Sequence, residues 1–580
     1  MTRPAAPDAA NPTLDPASTP SGVATLPRPA GPPAPLGGAA ADPAAWPRWA
    51  GIASLIVVAA LTAWGLGAHV MWFDELQAWN IARASHSLGS LYQNLRYEGH
   101  PIGWYLMLYT LTRLTGDPRA MQVLEFVIVT STSGLVLLRS PFSGPVRLAL
   151  VISYTVSFEY GVISRSYGLG VLALVVTLLC LGRDRPRWGW GLVAVVVLAW
   201  TSLAGAVLTL ALAAAVILGD RHPRRAEPDP VCRDAGRRRF ALGALLAAIG
   251  SAITCIPPAN FRAFTPGVGN LATLGATGVT RVVQAATGTW RGLVPIPARI
   301  GAWNTQLLDR LPAASWVEAT LSIGLIVVVA AQLRRSPTAR WLWCVGSVAC
   351  FAFFVVVELP DEARYAALTF LLLLASVWLS VAPPGPSDHS SRSTRGARRS
   401  GTTTRRVPRA FGFVLAAQVV ALLALYPSTS LHPFSPDRAV ADAARAHHLQ
   451  DALVSGEDFD ATSVGGYLDR PTYSVARHAW ERFFVHDALE AARYNHVSAG
   501  EAVCAAQQLA AARGHPAGVI TERTVRGAGP SVRRVALDQH VALYQVDPAP
   551  QSPWCAPDAA TASRHPTLGS TSAVRELRTH

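Results

Sequence analysis

The sequence predicts an α-helical polytopic membrane protein with a small C-terminal α/β domain. Three observations carry that expectation. The 580 residues are 51% hydrophobic and only 15% charged, whereas charged residues make up about a quarter of an ordinary globular domain. The apolar residues gather in blocks of roughly 17–20, the length that crosses a bilayer. Beyond residue 428 the material changes, and helix-like and strand-like patterns alternate between polar turns. The net charge of +14 raises nucleic acid as a partner, but most of the arginine lies in short loops between apolar blocks. That is the positive-inside pattern of a membrane protein, and it argues against nucleic acid.

Residues 1–46 are rich in Pro and Ala and poor in large apolar side chains, and they read as a disordered cytoplasmic tail. The first apolar block, 49–69, is expected to remain as a signal anchor, with Arg3, Arg28 and Arg48 holding the N-terminus in the cytoplasm. The apolar part of 101–113 is short for a span and reads as a partial segment. Spans are then expected at 120–138, 148–160 and 161–182, and 189–219 should break near Thr201–Ser202 into two short helices. Asp220 to Arg239 carries seven arginines and reads as cytoplasmic. Spans follow at 242–256, 316–333, 341–357, 367–382 and 411–426. The stretch 383–409, with seven arginines against Asp388, lies on the cytoplasmic side. The expectation is about 11–12 transmembrane segments within a 47–427 domain, N-terminus in and C-terminus out.

Residues 428–547 are expected to form an extracytoplasmic α/β domain. Helices are read at 438–448, 461–468 and 501–513, and strands at 452–456 and 541–546. Cys504 and Cys555 are the cysteines of residues 428–580, and an oxidising compartment would permit a disulfide. From 548 to 580 the tail reads as disordered. The seven cysteines show no metal-ligand spacing.

Four groups of residues could carry chemistry. Asp74 and Glu75 stand just past the first span, where a carboxylate could take a proton from an acceptor hydroxyl; acidic residues at a helix start account for them equally well. His100, in Glu98-Gly99-His100-Pro101, could reach a phosphate, or simply precede a helix with Pro101 in its first turn. Glu159, Arg165 and Tyr167 sit where a span meets the outer surface. An arginine there runs against the positive-inside bias, and a guanidinium can hold a phosphate bidentately; the bland account is an Arg165–Glu159 ion pair. Glu358, Asp361, Glu362, Arg364 and Tyr365 occupy a tight outer turn, with Arg364 abutting an apolar run. No dinucleotide or P-loop fingerprint and no HExxH is present, so nothing points to a nucleotide-binding domain, and if the chain transfers a sugar its donor would reach the site through the lipid.

Together these residues resemble the GT-C superfamily of polytopic glycosyltransferases, in its protein mannosyltransferase and lipid A aminoarabinose transferase branch. The likeness rests on Asp74-Glu75 within FDELQAWNIARA, on His100-Pro101-Ile102, on Ser164-Arg165-Ser166-Tyr167-Gly168-Leu169 and on Arg364-Tyr365. It covers about residues 49–382, and the second proline usual after the histidine is absent. The resemblance implies an inverting transfer of a sugar from a polyprenyl-phosphate donor to a glycan, lipid or protein acceptor of the cell envelope. Asp74 would be the general base, with Glu75 supporting it or binding the sugar. His100, Arg165 and Arg364 would bind the donor phosphate, and Glu159, Tyr167 and Tyr365 would support them. No metal or other cofactor is implied. The rival reading is a transporter or flippase, which would show an internal repeat with interrupted helices in two halves.

Overall fold

The structure is a computed structural model. It describes residues 46–182, 186–219, 230–262, 278–357, 360–381, 407–427, 433–456, 458–493, 496–525, 530–549 and 555. The two expected disordered tails lie outside the described residues apart from Trp46, residues 548–549 and Cys555. Glu358 and nearly all of the arginine-rich stretch 383–409 also lie outside them.

The first part of the chain is all helix: α1 (Arg48–Ala68), α2 (Phe73–Ala84), α3 (Leu88–Leu95), α4 (Gly103–Leu114), α5 (Arg119–Arg139), α6 (Gly144–Val151) and, after a π-helical turn at Thr155–Glu159, α7 (Ser166–Leu181). It continues with α8 (Trp188–Ala199), α9 (Leu203–Gly219), α10 (Pro230–Thr254), α11 (Gly278–Ala286), α12 (Gly288–Leu293), α13 (Ala314–Gln332), α14 (Pro337–Val356), α15 (Ala363–Ala366), α16 (Leu368–Val381) and α17 (Arg409–Leu425). Among the described residues, five helical stretches are long and apolar enough to cross a membrane: α1, α5, α13, α14 and the continuous run through α15 and α16. Four shorter apolar helices, α7, α8, α9 and α17, accompany them. A single apolar core runs through α7, α8, α9, α14, α16 and α17, with Trp343, Trp378, Phe370 and Phe411 wholly enclosed.

Several boundaries depart from the sequence expectation for local reasons. The stretch 148–160 is not one helix. Gln418 Oε1 takes the Thr155 amide at 3.0 Å and Ser157 Oγ bonds back to the Val151 carbonyl, so side chains replace the ladder where α6 ends. α10 begins at Pro230, inside the arginine-rich loop, because Ala and Arg are good helix formers whatever their charge. The stretch 257–314 holds α11 and α12 rather than open loop. The break expected near Thr201–Ser202 is present, at Trp200–Ser202 between α8 and α9.

The partial segment is explained by its two ends. α4 has 12 residues, about 18 Å of helix against a core of about 30 Å. At its start the Gly103 amide donates to the Trp200 carbonyl at 3.1 Å, and a β-carbon on Gly103 would collide with that carbonyl. Just past its end, Gly116 packs on Asp469 of the C-terminal domain. α4 is thus held at both ends by packing against other segments, and with 12 residues it is not among the membrane-length helices.

The C-terminal part contains α18 (Asp437–Ala446), β1 (Leu453–Ser455), α19 (Asp458–Leu468), β2 (Thr472–Ser474), β3 (Ala479–Glu481), α20 (Ala488–Arg493), α21 (Ala499–Arg513), β4 (Ala517–Thr521), β5 (Val532–Asp538) and β6 (Val541–Val546). The strands make one six-stranded sheet in the order β3-β2-β1-β4-β6-β5, with β1 parallel to β2 and β4 and every other pair antiparallel. Ser498 and Glu501 form a reciprocal capping box at the start of α21, and Gly514 ends that helix at φ +72°. Val454, Val519 and Leu543 are fully enclosed in the sheet, each contributing about 1.5–3 kcal/mol by leaving water. Cys504 and Cys555 form a disulfide that ties the chain beyond β6 back to α21.

Candidate active site

The site grows from the turn that follows α1. His69 leaves the helix in extended conformation, and Trp72, also extended, caps the start of α2. Successive helical residues point about 100° apart, so the adjacent acids Asp74 and Glu75 cannot face the same way. Glu75 turns inward and is wholly buried. Its carboxylate accepts from the Trp72 amide at 3.3 Å and the Ser164 amide at 2.7 Å, and pairs with His69 Nε2 at 2.7 Å. Every one of those partners is a fixed part of the scaffold, so Glu75 locks α2 to α1 and to the loop before α7.

Asp74 turns the other way, into a cluster of cations drawn from distant segments. Arg165, the residue that caps α7, donates from Nη1 to Asp74 Oδ2 at 2.5 Å. Arg364, on the short helix α15, donates to the same oxygen and also pairs with Glu362. Arg165 Nη2 donates to His100 Nε2 at 3.3 Å. Burial pushes the Asp74 carboxyl up, but the Arg165 and Arg364 guanidiniums outweigh it and hold the group below the usual aspartate value. Burial, then Arg165, pushes His100 down to about 3, so the imidazole is neutral at neutral pH, and with Nε2 accepting from Arg165 its other ring nitrogen is the donor.

Aromatic rings wall this cluster. The Arg165 guanidinium lies over the Tyr167 ring at 5.6 Å, and that ring stacks on Tyr160 at 4.9 Å. Arg364 lies over Tyr365 at 5.0 Å and Trp72 at 5.8 Å, and the Tyr160 hydroxyl donates to the Arg364 carbonyl. Gly168 follows Tyr167 because a β-carbon there would meet the Tyr160 carbonyl at 2.8 Å and collide with the Glu125 carboxyl. Glu159 does not pair with Arg165. It is buried and accepts from the Tyr154 hydroxyl at 2.6 Å and Trp303 Nε1 at 3.0 Å, and Trp303 in turn packs edge-on against Trp72 at 5.7 Å. The structure thus brings Asp74, His100, Arg165 and Arg364 into one cluster with Tyr167 and Tyr365 against it. Glu75 and Glu159 stand behind it as scaffold.

Two members were not singled out from the sequence. Glu98 accepts from Gln77 Nε2 at 2.8 Å and is half-buried. Burial pushes its carboxyl up to about 7 against the bond from Gln77, and the Asp74 charge adds to the rise. Gln77 also holds the C-terminal domain: its Nε2 donates to the Phe484 carbonyl at 2.7 Å and its Oε1 accepts the Phe484 amide at 2.9 Å. Two residues on, His486 feels the Asp74 charge, while burial lowers it to about 4. The sequence signal for Glu98 was its place two residues before His100; nothing local could have paired Gln77 with Phe484.

Two guanidiniums aimed at one carboxylate oxygen form a cationic centre of a kind that can also hold a phosphate, which offers more charge and more acceptor atoms than a carboxylate. Among the described residues, the one group of metal-ligand type set close together is Asp460, Glu522 and His540, in the C-terminal domain and apart from this cluster. Comparison with protein-family models, with curated proteins and with solved structures finds no match to this chain.

Proposed function

We propose that this chain is an integral-membrane glycosyltransferase that moves a sugar, with inversion, from a polyprenyl-phosphate donor to an extracytoplasmic acceptor. The observation that carries the reading is the convergence of Arg165 and Arg364 on Asp74, from segments 91 and 290 residues away. The donor phosphate takes over the two guanidiniums and neutral His100, which frees Asp74. The acceptor hydroxyl oxygen then attacks the anomeric carbon from the face opposite the phosphate. The carbon–oxygen bond to phosphate breaks, polyprenyl phosphate leaves with the electron pair, and the hydroxyl proton passes to Asp74.

A second assignment of the base has its own support. A general base works best with a pKa near the operating pH, and Glu98, raised to about 7, meets that better than the depressed Asp74. In this version Asp74 positions the arginines and Glu98 takes the proton.

The alternation of helices supports eleven passages: α1, α5, α6 with its π-turn, α7 to α10, α13, α14, α16 and α17. α4 stays on the outer face, the N-terminus lies in the cytoplasm and the C-terminal domain outside. The Cys504–Cys555 disulfide suits that side, because such bonds persist in oxidising compartments. The test is transfer from a polyprenyl-phosphate sugar by the purified full-length protein. Asp74→Asn is expected to abolish transfer with the fold intact. Full activity in that variant removes Asp74 as base, and activity lost only in Glu98→Gln transfers the role to Glu98.

A further inference from the structure

Away from the Asp74 cluster, a cavity of about 370 Å³ opens between the start of α5 and α18, lined by Asp117, Arg119, Arg438, Asp442, Arg445 and Tyr467 among others. Arg438, Asp442 and Arg445 follow at helical spacing and share one face of α18. Arg445 is paired with Asp442 at 2.7 Å, and Asp117 accepts the Arg119 amide at 2.9 Å. Neither the Arg119 nor the Arg438 guanidinium forms an ion pair among the described residues, and the cavity lining sets three arginines against the two carboxylates of Asp117 and Asp442, an excess of positive charge.

The setting indicates what would neutralise it. Arg119 is the first residue of α5, one of the membrane-length helices. Val123 and Val127 follow it at four and eight residues, on the same helix face, and both are exposed; Leu114, at the end of α4, is exposed as well. An exposed apolar stripe on such a helix faces lipid tails, and a basic residue at its end sits at headgroup depth. Behind the cavity the Tyr467 hydroxyl donates to the Met71 carbonyl at 3.0 Å.

We propose that this cavity seats the phosphate headgroup of a membrane phospholipid, with Arg119 and Arg438 donating to the phosphate oxygens and the acyl chains lying along the Val123–Val127 face. The lipid then bridges a membrane helix and the C-terminal domain. The proposal rests on the membrane reading of α5 and is independent of the transfer chemistry.

The test uses delipidated full-length protein in detergent, with lipid retention followed by native mass spectrometry and thermal unfolding as a second readout. Phosphatidylglycerol is expected to bind and raise the unfolding temperature, whereas diacylglycerol with the same chains and inorganic phosphate alone leave it unchanged. Arg119→Gln and Arg438→Gln should each weaken retention about tenfold, the loss of one charge-assisted contact. Equal retention in the double variant, or an equal shift from inorganic phosphate alone, overturns the proposal. If Arg119→Gln does not fold, Arg438→Gln carries the test alone, since Arg438 lies in the C-terminal domain outside the membrane helices. Asp74→Asn should retain lipid like the parent, so loss of transfer and loss of lipid binding fail separately.

Discussion

Two places in the molecule set one aspartate between two arginines. Asp74 lies between Arg165 and Arg364; Asp469 takes Arg83 Nε and Nη2 at 3.0 and 2.8 Å and Arg482 Nη1 at 2.9 Å. The charge count is the same, but the surroundings differ. The Asp469 side chains are each about 30% exposed, at 31%, 31% and 30%, whereas Asp74, Arg165 and Arg364 are 17%, 12% and 13% exposed. Water and salt screen the first group, which ties α2 to the C-terminal domain as a surface clamp of modest worth. The second is walled by Tyr167, Tyr365 and Trp72, so its field is little screened and acts on whatever enters. One is a fastener and the other is the proposed site, and the environment rather than the triad separates them.

That contrast can be broken most severely at the aspartates. Asp74→Asn should cut sugar transfer by about 10²–10⁴-fold, the usual worth of a positioned base, while Asp469→Asn should leave transfer within about twofold and cost about 0–1 kcal/mol of stability. Parallel turnover and thermal-unfolding measurements decide it, and equal losses in both variants would erase the distinction. Next come the cations: Arg165→Ala and Arg364→Ala should each lower donor use about 10–100-fold, as expected for a charged hydrogen bond of about 1.5–3 kcal/mol. Arg83→Ala should not change donor kinetics. A smaller effect appears on raising ionic strength, where the stability lost in Asp469→Asn should shrink toward zero and that lost in Asp74→Asn should persist.

The smallest difference is in pH response. Both aspartates have depressed pKa values, so both contribute stability above about 3.8 and lose it as pH falls through the lowered value. Their neighbours separate them at milder pH. His100 stays neutral in the fold down to about 3, while the unfolded chain takes up that proton below about 6.5; stability therefore falls as pH drops through that window. Glu98 keeps its proton up to about 7 and the unfolded chain releases it above about 4.3, so stability falls as pH rises across that range. Unfolding temperatures against pH should show His100→Gln removing the acid-side loss and Glu98→Gln the alkaline-side loss. Unchanged slopes in both variants would place the two groups in ordinary solvent.

The sequence exposed what depends on local pattern. Arg165 and Arg364 stood out because each is a cation beside an apolar run, and Asp74 because an acid pair follows a span. Helices α18, α19 and α21 and strands β1 and β6 were legible from periodicity. β5 was not, since Arg533 and Arg534 at a sheet edge hide its alternation, and β2 and β3 are three residues each. The opposite fates of Asp74 and Glu75 were hidden too, because the partners that capture Glu75 include Ser164, 89 residues away. Glu98 escaped for a like reason: its raised pKa comes from a packed environment that no nearby residue announces.

The two-way bond between Gln77 and Phe484 has a consequence for biosynthesis. Asp74 emerges early in translation, but the backbone that seats its helix lies 407 residues later. Until that stretch has been made and folded, α2 lacks this two-way bond. The Asp74 cluster is therefore completed late, and on the proposed function a chain cut short within the C-terminal domain should insert in the membrane yet transfer no sugar.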